Sequence, residues 1–299
     1  MRKLLVFFIV FGLIVGGFAY FSSAEELSSI KIRKIEKAVE KLESKERGPQ
    51  SKGYREVKDF GPVTIPFLIK SLEDKTVNFE SRISICKLLG IFKANEAVPV
   101  LIYTLKNGDF SVRAGVCRAL EAIGNPVSID PLLGMLNDNA PDVRRDAVRA
   151  LDVLDDPRIP VAVQDLLKDD DEEVSIAAVT LLDNKLDPAT ANALREALED
   201  KSASVRMIAA RALGGLKDAE SVDKLVWLIT EDPSQSVRMD CAIALGKIGD
   251  VKALPGLIEA VNDDYKDVQV RAASSLKDIT GQDFGRNYEE WKNWEKEQQ

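Results

Sequence analysis

Apolar and polar residues alternate along this chain with a helical period that keeps returning to the same phase. The segments SRISICKLLGIF from Ser81, SVRAGVCRALEAIG from Ser111, DVRRDAVRALDVL from Asp142 and EVSIAAVTLLDNK from Glu173 read in register. So do SVRMIAARALGGL from Ser204, SVRMDCAIALGKIG from Ser236 and DVQVRAASSLKDITG from Asp267. Their first core positions are Ser81, Val112, Val143, Val174, Val205, Val237 and Val268, separated by steps of 31, 31, 31, 31, 32 and 31 residues. Within a unit the apolar residues fall at offsets 0, +4, +7, +8 and +11, as in Val205, Ala209, Ala212, Leu213 and Leu216. Those offsets share one face of a 3.6-residue helix.

A second amphipathic helix follows each first one. Its face is Val98, Leu101, Ile102 and Leu105 in one unit, and Leu254, Leu257, Ile258 and Val261 in another. Gly124 and Gly249 stand between the two helices, where a left-handed residue ends the first. Pro66, Pro99, Pro131, Pro160 and Pro255 fall in the first turn of the second helix, where a missing N–H costs nothing. Asp142, Ser204, Ser236 and Asp267 are the expected caps of the first helices. One such hairpin cannot bury its apolar face alone, and stacking on neighbours completes the core. The predicted fold is therefore all-α, a right-handed α-α superhelix of about seven stacked hairpins, with the array over residues 61–280. A degenerate earlier unit around GPVTIPFLIKSLED from Gly61 supplies Ile65, Leu68, Ile69 and Leu72.

Residues 25–60 read as a charged helical cap or stalk, with an amphipathic helix from Glu26 ending at Gly48–Pro49. Residues 281–299 read as a capping tail, with Tyr288, Trp291 and Trp294 along one face of a short helix. Ahead of all this, Met1-Arg2-Lys3 and the apolar run from Leu4 to Phe21 precede Ser22-Ser23-Ala24. Residues 1–24 thus have the make-up of a secretory signal peptide cut after Ala24, or of an uncleaved membrane anchor. Either reading places the rest of the chain outside the cytoplasm, in the periplasm or on the outer face of the membrane. A membrane enters only through that segment, and a monomer is expected.

Composition narrows the chemistry. The chain carries a formal net charge of −8, and losing Arg2 and Lys3 with a leader makes it more negative still. Such a protein is a poor partner for nucleic acid, which binds clustered Lys and Arg. Histidine is absent, which removes the usual general base and the commonest zinc ligand. Cys86, Cys117 and Cys241 form no Cys-x-x-Cys pair. No catalytic residue, metal site or cofactor is expected. The run Asp169-Asp170-Asp171-Glu172-Glu173 lacks the order of a calcium loop and reads as helix-capping carboxylates.

The recurring VR-xx-A-xx-AL-xx-IG pattern resembles the short bacterial HEAT-like repeats first associated with phycobilisome lyases. The likeness spans roughly residues 61–280, and the ending from Ile279 is similar to the terminal segment of many such proteins. Ser175 and Gln269 depart from it by replacing the usual Arg, and Lys185 interrupts an apolar column. The resemblance implies a solenoid whose second helices line a concave face. It constrains activity little, because members include chromophore-attachment enzymes, their chaperones and plain interaction scaffolds.

Two columns of residues stand out. Arg82, Arg113, Arg144, Arg206 and Arg238 recur at one position and read as a ladder bonded to aspartates of neighbouring repeats. Offset +5 of the second helices carries Lys70, Tyr103, Gly134, Gln164, Arg195, Trp227 and Glu259. Tyr, Trp and Arg are the types enriched at binding hot spots. The reading taken is a non-catalytic scaffold of the cell envelope that binds a protein partner, with Tyr103, Arg195 and Trp227 as anchors. Its alternatives are a lyase-like or chaperone-like factor in cofactor attachment and a purely structural envelope spacer.

Overall fold

The computed structural model describes residues 29–298, and the apolar run from Leu4 to Phe21 lies outside them. Among the described residues there is no strand, and no helix is long and apolar enough to cross a membrane. The chain forms two compact units that divide after Ser128.

In the first unit, α1 (Ser29–Leu42) packs on α2 (Arg47–Phe60), and α3 (Ile65–Glu73) completes that hairpin. Two further pieces follow, α4 (Phe79–Ile91) with α5 (Val98–Asn107), and then α6 (Phe110–Ile123), which packs on both. The segment expected as one helix ending at Gly48–Pro49 is two helices. The first ends at Leu42, and Gly48–Pro49 lie inside the first turn of α2. Proline is tolerated there because the first N–H groups of a helix have no intrahelical acceptor. Ile35, Ala38, Val39 and Leu42 bury the apolar face of α1. The Ser81 hydroxyl donates to the Leu42 carbonyl at 2.7 Å, tying that helix to α4.

The second unit opens with α7 (Ile129–Met135) and continues as hairpins. These are α8 (Pro141–Asp152) with α9 (Arg158–Val163), α10 (Glu172–Lys185) with α11 (Ala191–Ala197), and α12 (Ala203–Leu216) with α13 (Val222–Glu231). The last hairpin is α14 (Gln235–Ile248) with α15 (Leu254–Ala260). It is followed by α16 (Lys266–Thr280) and the short α17 (Tyr288–Glu297). Core positions 0, +4, +7 and +8 are buried throughout, as in Val143, Ala147, Ala150 and Leu151, and their many alanines let the helices approach closely.

The turn inside each hairpin explains the glycines only in part. Gly124 and Gly249 adopt left-handed backbone, with φ of 70° and 77°. Lys93, Leu186 and Lys217 make the same turn with φ of 49°, 48° and 54°, so side chains are accepted where glycine was expected. The helix starts also shift. Asp142, Ser204, Ser236 and Asp267 lie inside the first turns, not at the caps. The carboxylates that satisfy the turn amides come earlier, at Asp138, Asp169, Asp200, Asp232 and Asp263. Each accepts the N–H two residues on, at 2.7–2.9 Å.

At the end of the chain Trp291 is fully buried. Its indole N–H donates to the Gly285 carbonyl at 2.9 Å, and its ring meets Phe284 and Trp294 edge to face.

Candidate protein-docking face

Each hairpin of the second unit presents two edges and a second-helix face, and the charged residues divide among them. On one edge the arginine column is spent on structure. Arg144 donates Nε and Nη2 to the two carboxylate oxygens of Asp169 at 2.7 and 2.6 Å, and Nη1 to the Asp138 carbonyl at 2.8 Å. Arg206 treats Asp232 and the Asp200 carbonyl alike, and Arg238 does so with Asp263 and the Asp232 carbonyl. Each is a two-pronged bond between adjacent hairpins, with the planar guanidinium matching a carboxylate. The two substituted positions keep half of it. The Ser175 hydroxyl donates to the Asp169 carbonyl at 3.1 Å, and the Gln269 amide donates to the Asp263 carbonyl at 2.6 Å. Lys185 sends its ammonium to the Leu154 carbonyl at 2.8 Å, which explains a charge in an apolar column.

The acidic run is likewise occupied. Asp169 belongs to Arg144, and Asp171 caps α10 by accepting the N–H groups of Glu173 and Val174. Among the described residues no group of three or more His, Cys, Asp or Glu side chains converges as a metal-binding set. Cys86, Cys117 and Cys241 are all buried, and burial pushes the Cys86 thiol up to about 12.

The members of the column at offset +5, expected to be exposed, differ in their surroundings. In the first unit Lys70 is exposed on α3 and Tyr103 is half exposed on α5. In the second unit Gly134 is exposed and Gln164 is half-buried. Arg195 is turned away from solvent. It is held by Asp218 at 2.6 Å, Glu220 at 3.0 Å and the Asn192 side-chain carbonyl. Glu259 is taken by the chain's own end, accepting from the Tyr288 hydroxyl at 3.1 Å and pairing with Lys292 at 3.3 Å. Trp227 alone of the second unit's column keeps a large apolar surface open, at 53 % exposure. The Lys224 ammonium sits 4.7 Å from its ring centre and pairs with Glu199 at 2.9 Å. Lysine at i−3 on the same helix thus fixes one side of the indole and leaves the rest bare.

A cleft of about 440 Å³ lies at the C-terminal end among Val251, Leu254, Pro255, Ile279, Trp294 and Glu295. Its walls are mainly apolar and bring together no set of reactive groups.

The family profile for HEAT repeats matches residues 65–152, 159–228 and 201–277. Among solved structures, the X-ray structure of the YibA protein of Escherichia coli superposes with a TM-score of 0.64 at 21% identity, covering 88% of this chain and 100% of that one. An engineered protein gives a TM-score of 0.57 at 22% identity, over 82% of this chain and 78% of its own. The complex of CpcE and CpcF of phycocyanin lyase from Nostoc reaches a TM-score of 0.45 at 18% identity, over 89% of this chain and 99% of that one. A likeness at that level says nothing about activity. No match was found among curated protein sequences.

Proposed function

We propose, from the premise that this chain belongs to the HEAT-repeat family and has its all-α solenoid fold, that it is a non-catalytic scaffold that docks a protein partner on its second helices. The observation that carries this reading is Trp227. An indole costs solubility when left in water, its own repeat does not cover it, and the core does not require it. A rigid aromatic ring with a paired lysine beside it is the kind of anchor that dominates binding energy when a partner desolvates it. Tyr103 on α5, half exposed, is a second anchor of the same chemistry in the first unit. In this reading the protein works as a monomer on the outer side of the cytoplasmic membrane, delivered there by residues 1–24.

The test is affinity capture from the envelope fraction of the source organism. Three baits run side by side: the native chain, Trp227→Ala, and Val153→Ala, which trims an equally exposed side chain elsewhere. A protein held by the native and Val153→Ala baits and lost from Trp227→Ala supports docking at this helix. Equal capture by all three removes Trp227 from the reading.

A further inference from the structure

Successive first helices in the second unit are fastened at two places. One is a backbone contact at offset +9, where α12 and α14 carry glycine. A methyl group at Gly214 would lie 2.6 Å from Ala244 Cα, and one at Gly246 would lie 2.7 Å from Ser275 Cβ, so the glycine backbone of each helix rests directly on a small residue of the next. The other is the guanidinium–carboxylate bond, Arg206 on Asp232 and Arg238 on Asp263.

The step from α10 to α12 has neither. Offset +9 is Asp183, whose carboxylate is bridged by Arg211 at 2.8 Å. At the arginine position stands Ser175, whose hydroxyl stays on the Asp169 carbonyl within its own hairpin. Asp200 holds the place of Asp232 and Asp263. Its carboxylate accepts only its own turn amide, from Ser202 at 2.7 Å, and among the described residues no guanidinium reaches it. The step before, from α8 to α10, also lacks the glycine but keeps Arg144 on Asp169. Packing between α10 and α12 is sparser than between α12 and α14 and close to that between α8 and α10, so it follows the missing glycine and not the missing arginine.

Beside the Arg211–Asp183 pair, which joins α10 to α12 directly, the ties from the α10–α11 hairpin to the next one lie elsewhere. Arg195 binds Asp218 and Glu220, and Lys224 binds Glu199, both on the second-helix side. We propose that this step is a hinge. It is pinned by Arg195 at the turn of the α12–α13 hairpin and by Arg211 on Asp183 near the C-terminal end of α10, and it is free to open at the opposite, Ser175–Asp200 edge, so the hairpins before and after it move as two bodies. Arg195 is then a positioning residue between hairpins and not a contact for a partner. The inference does not depend on what docks at Trp227.

Pairs of nitroxide labels on the full chain test it, the native cysteines being buried and out of reach of the reagent. A pair at Glu173→Cys and Ser236→Cys spans the unfastened step and one fastened step. A control pair at Ser204→Cys and Asp267→Cys spans two fastened ones. The distance distribution of the first pair is expected to be about twofold broader, and Ser175→Arg, which restores the missing bond to Asp200, is expected to narrow it to the control width. Arg206→Ser should broaden the control pair, a check that holds even if the arginine variant does not fold. Equal widths in the two unmodified pairs would overturn the hinge. So would an unchanged width in a folded Ser175→Arg protein.

Discussion

Arg206 and Asp232 are joined by two parallel hydrogen bonds, Nε to Oδ2 at 2.7 Å and Nη2 to Oδ1 at 2.9 Å, with the Asp232 side chain almost fully enclosed. Removing the guanidinium leaves that carboxylate buried without its partner. Arg206→Ala is therefore expected to cost about 2–4 kcal/mol in urea unfolding. A loss below about 0.5 kcal/mol would mean that the pair is no better than an exposed surface bridge.

Acid should release the Arg144–Asp169 fastening. Burial raises the Asp169 carboxyl, but the Arg144 hydrogen bonds, the Asp171 amide and the Arg144 charge outweigh it and hold the group below its ordinary range. A folded value under the unfolded one means stability that is present above about pH 4 and is lost as pH falls through the folded value. Asp169→Asn should be less stable than the native chain at neutral pH, with the gap closing on acidification. A gap that stays constant with pH would show that the ionised carboxylate is not what matters.

Asp240 behaves in the opposite sense. It is buried on α14, and burial raises its carboxyl, with Asp183 adding to the rise and Arg211, Lys247 and Arg271 opposing it. Its ionised form costs stability above the folded value, and that cost vanishes below the unfolded value. Asp240→Asn should gain roughly 1 kcal/mol at neutral pH and nothing near pH 3. A neutral-pH loss would mean that the cations around it more than offset its burial.

Two tryptophans should separate cleanly. Trp291→Ala empties a fully buried site and breaks the bond to Gly285, for an expected loss of about 3–5 kcal/mol. Trp227→Ala should change stability by less than about 0.5 kcal/mol, because the ring is mostly in water. Thermal or urea melts of the two variants measure both.

The hairpin array is legible in the sequence because a 31-residue step repeats the same apolar offsets, and a stacked helix has little choice of which face to bury. Arg144, Arg206 and Arg238 of the arginine column are legible for the same reason, since a residue that recurs with the repeat bonds to whatever else recurs with it, whereas Arg82 leaves its Nε buried without a hydrogen-bond partner. The docking column is less so. Offset alone gives Arg195 and Glu259 the same standing as Trp227, but their partners come from outside the pattern: Asp218 and Glu220 from the next hairpin's turn, Tyr288 and Lys292 from the terminal helix. Charged side chains are long enough to find such partners, and an indole on that surface is not. The unfastened step was half visible. Ser175 departs visibly from the arginine column, while Gly214, Gly246 and Asp183 recur in register at offset +9 and take their meaning only from the helix packed against them.

Asp232 serves three partners at once. Asp232 accepts its own turn amide on Oδ1, the Arg206 guanidinium on both oxygens, and the Arg238 Nη1 on its carbonyl. The chain can therefore lengthen or shorten by whole hairpins. Excising a complete repeat brings the arginine of one unit opposite the aspartate of another and leaves the wiring intact. The spacing between the two tolerates one residue more or less, since the bond closes over 25 residues from Arg144 to Asp169 and over 26 from Arg206 to Asp232.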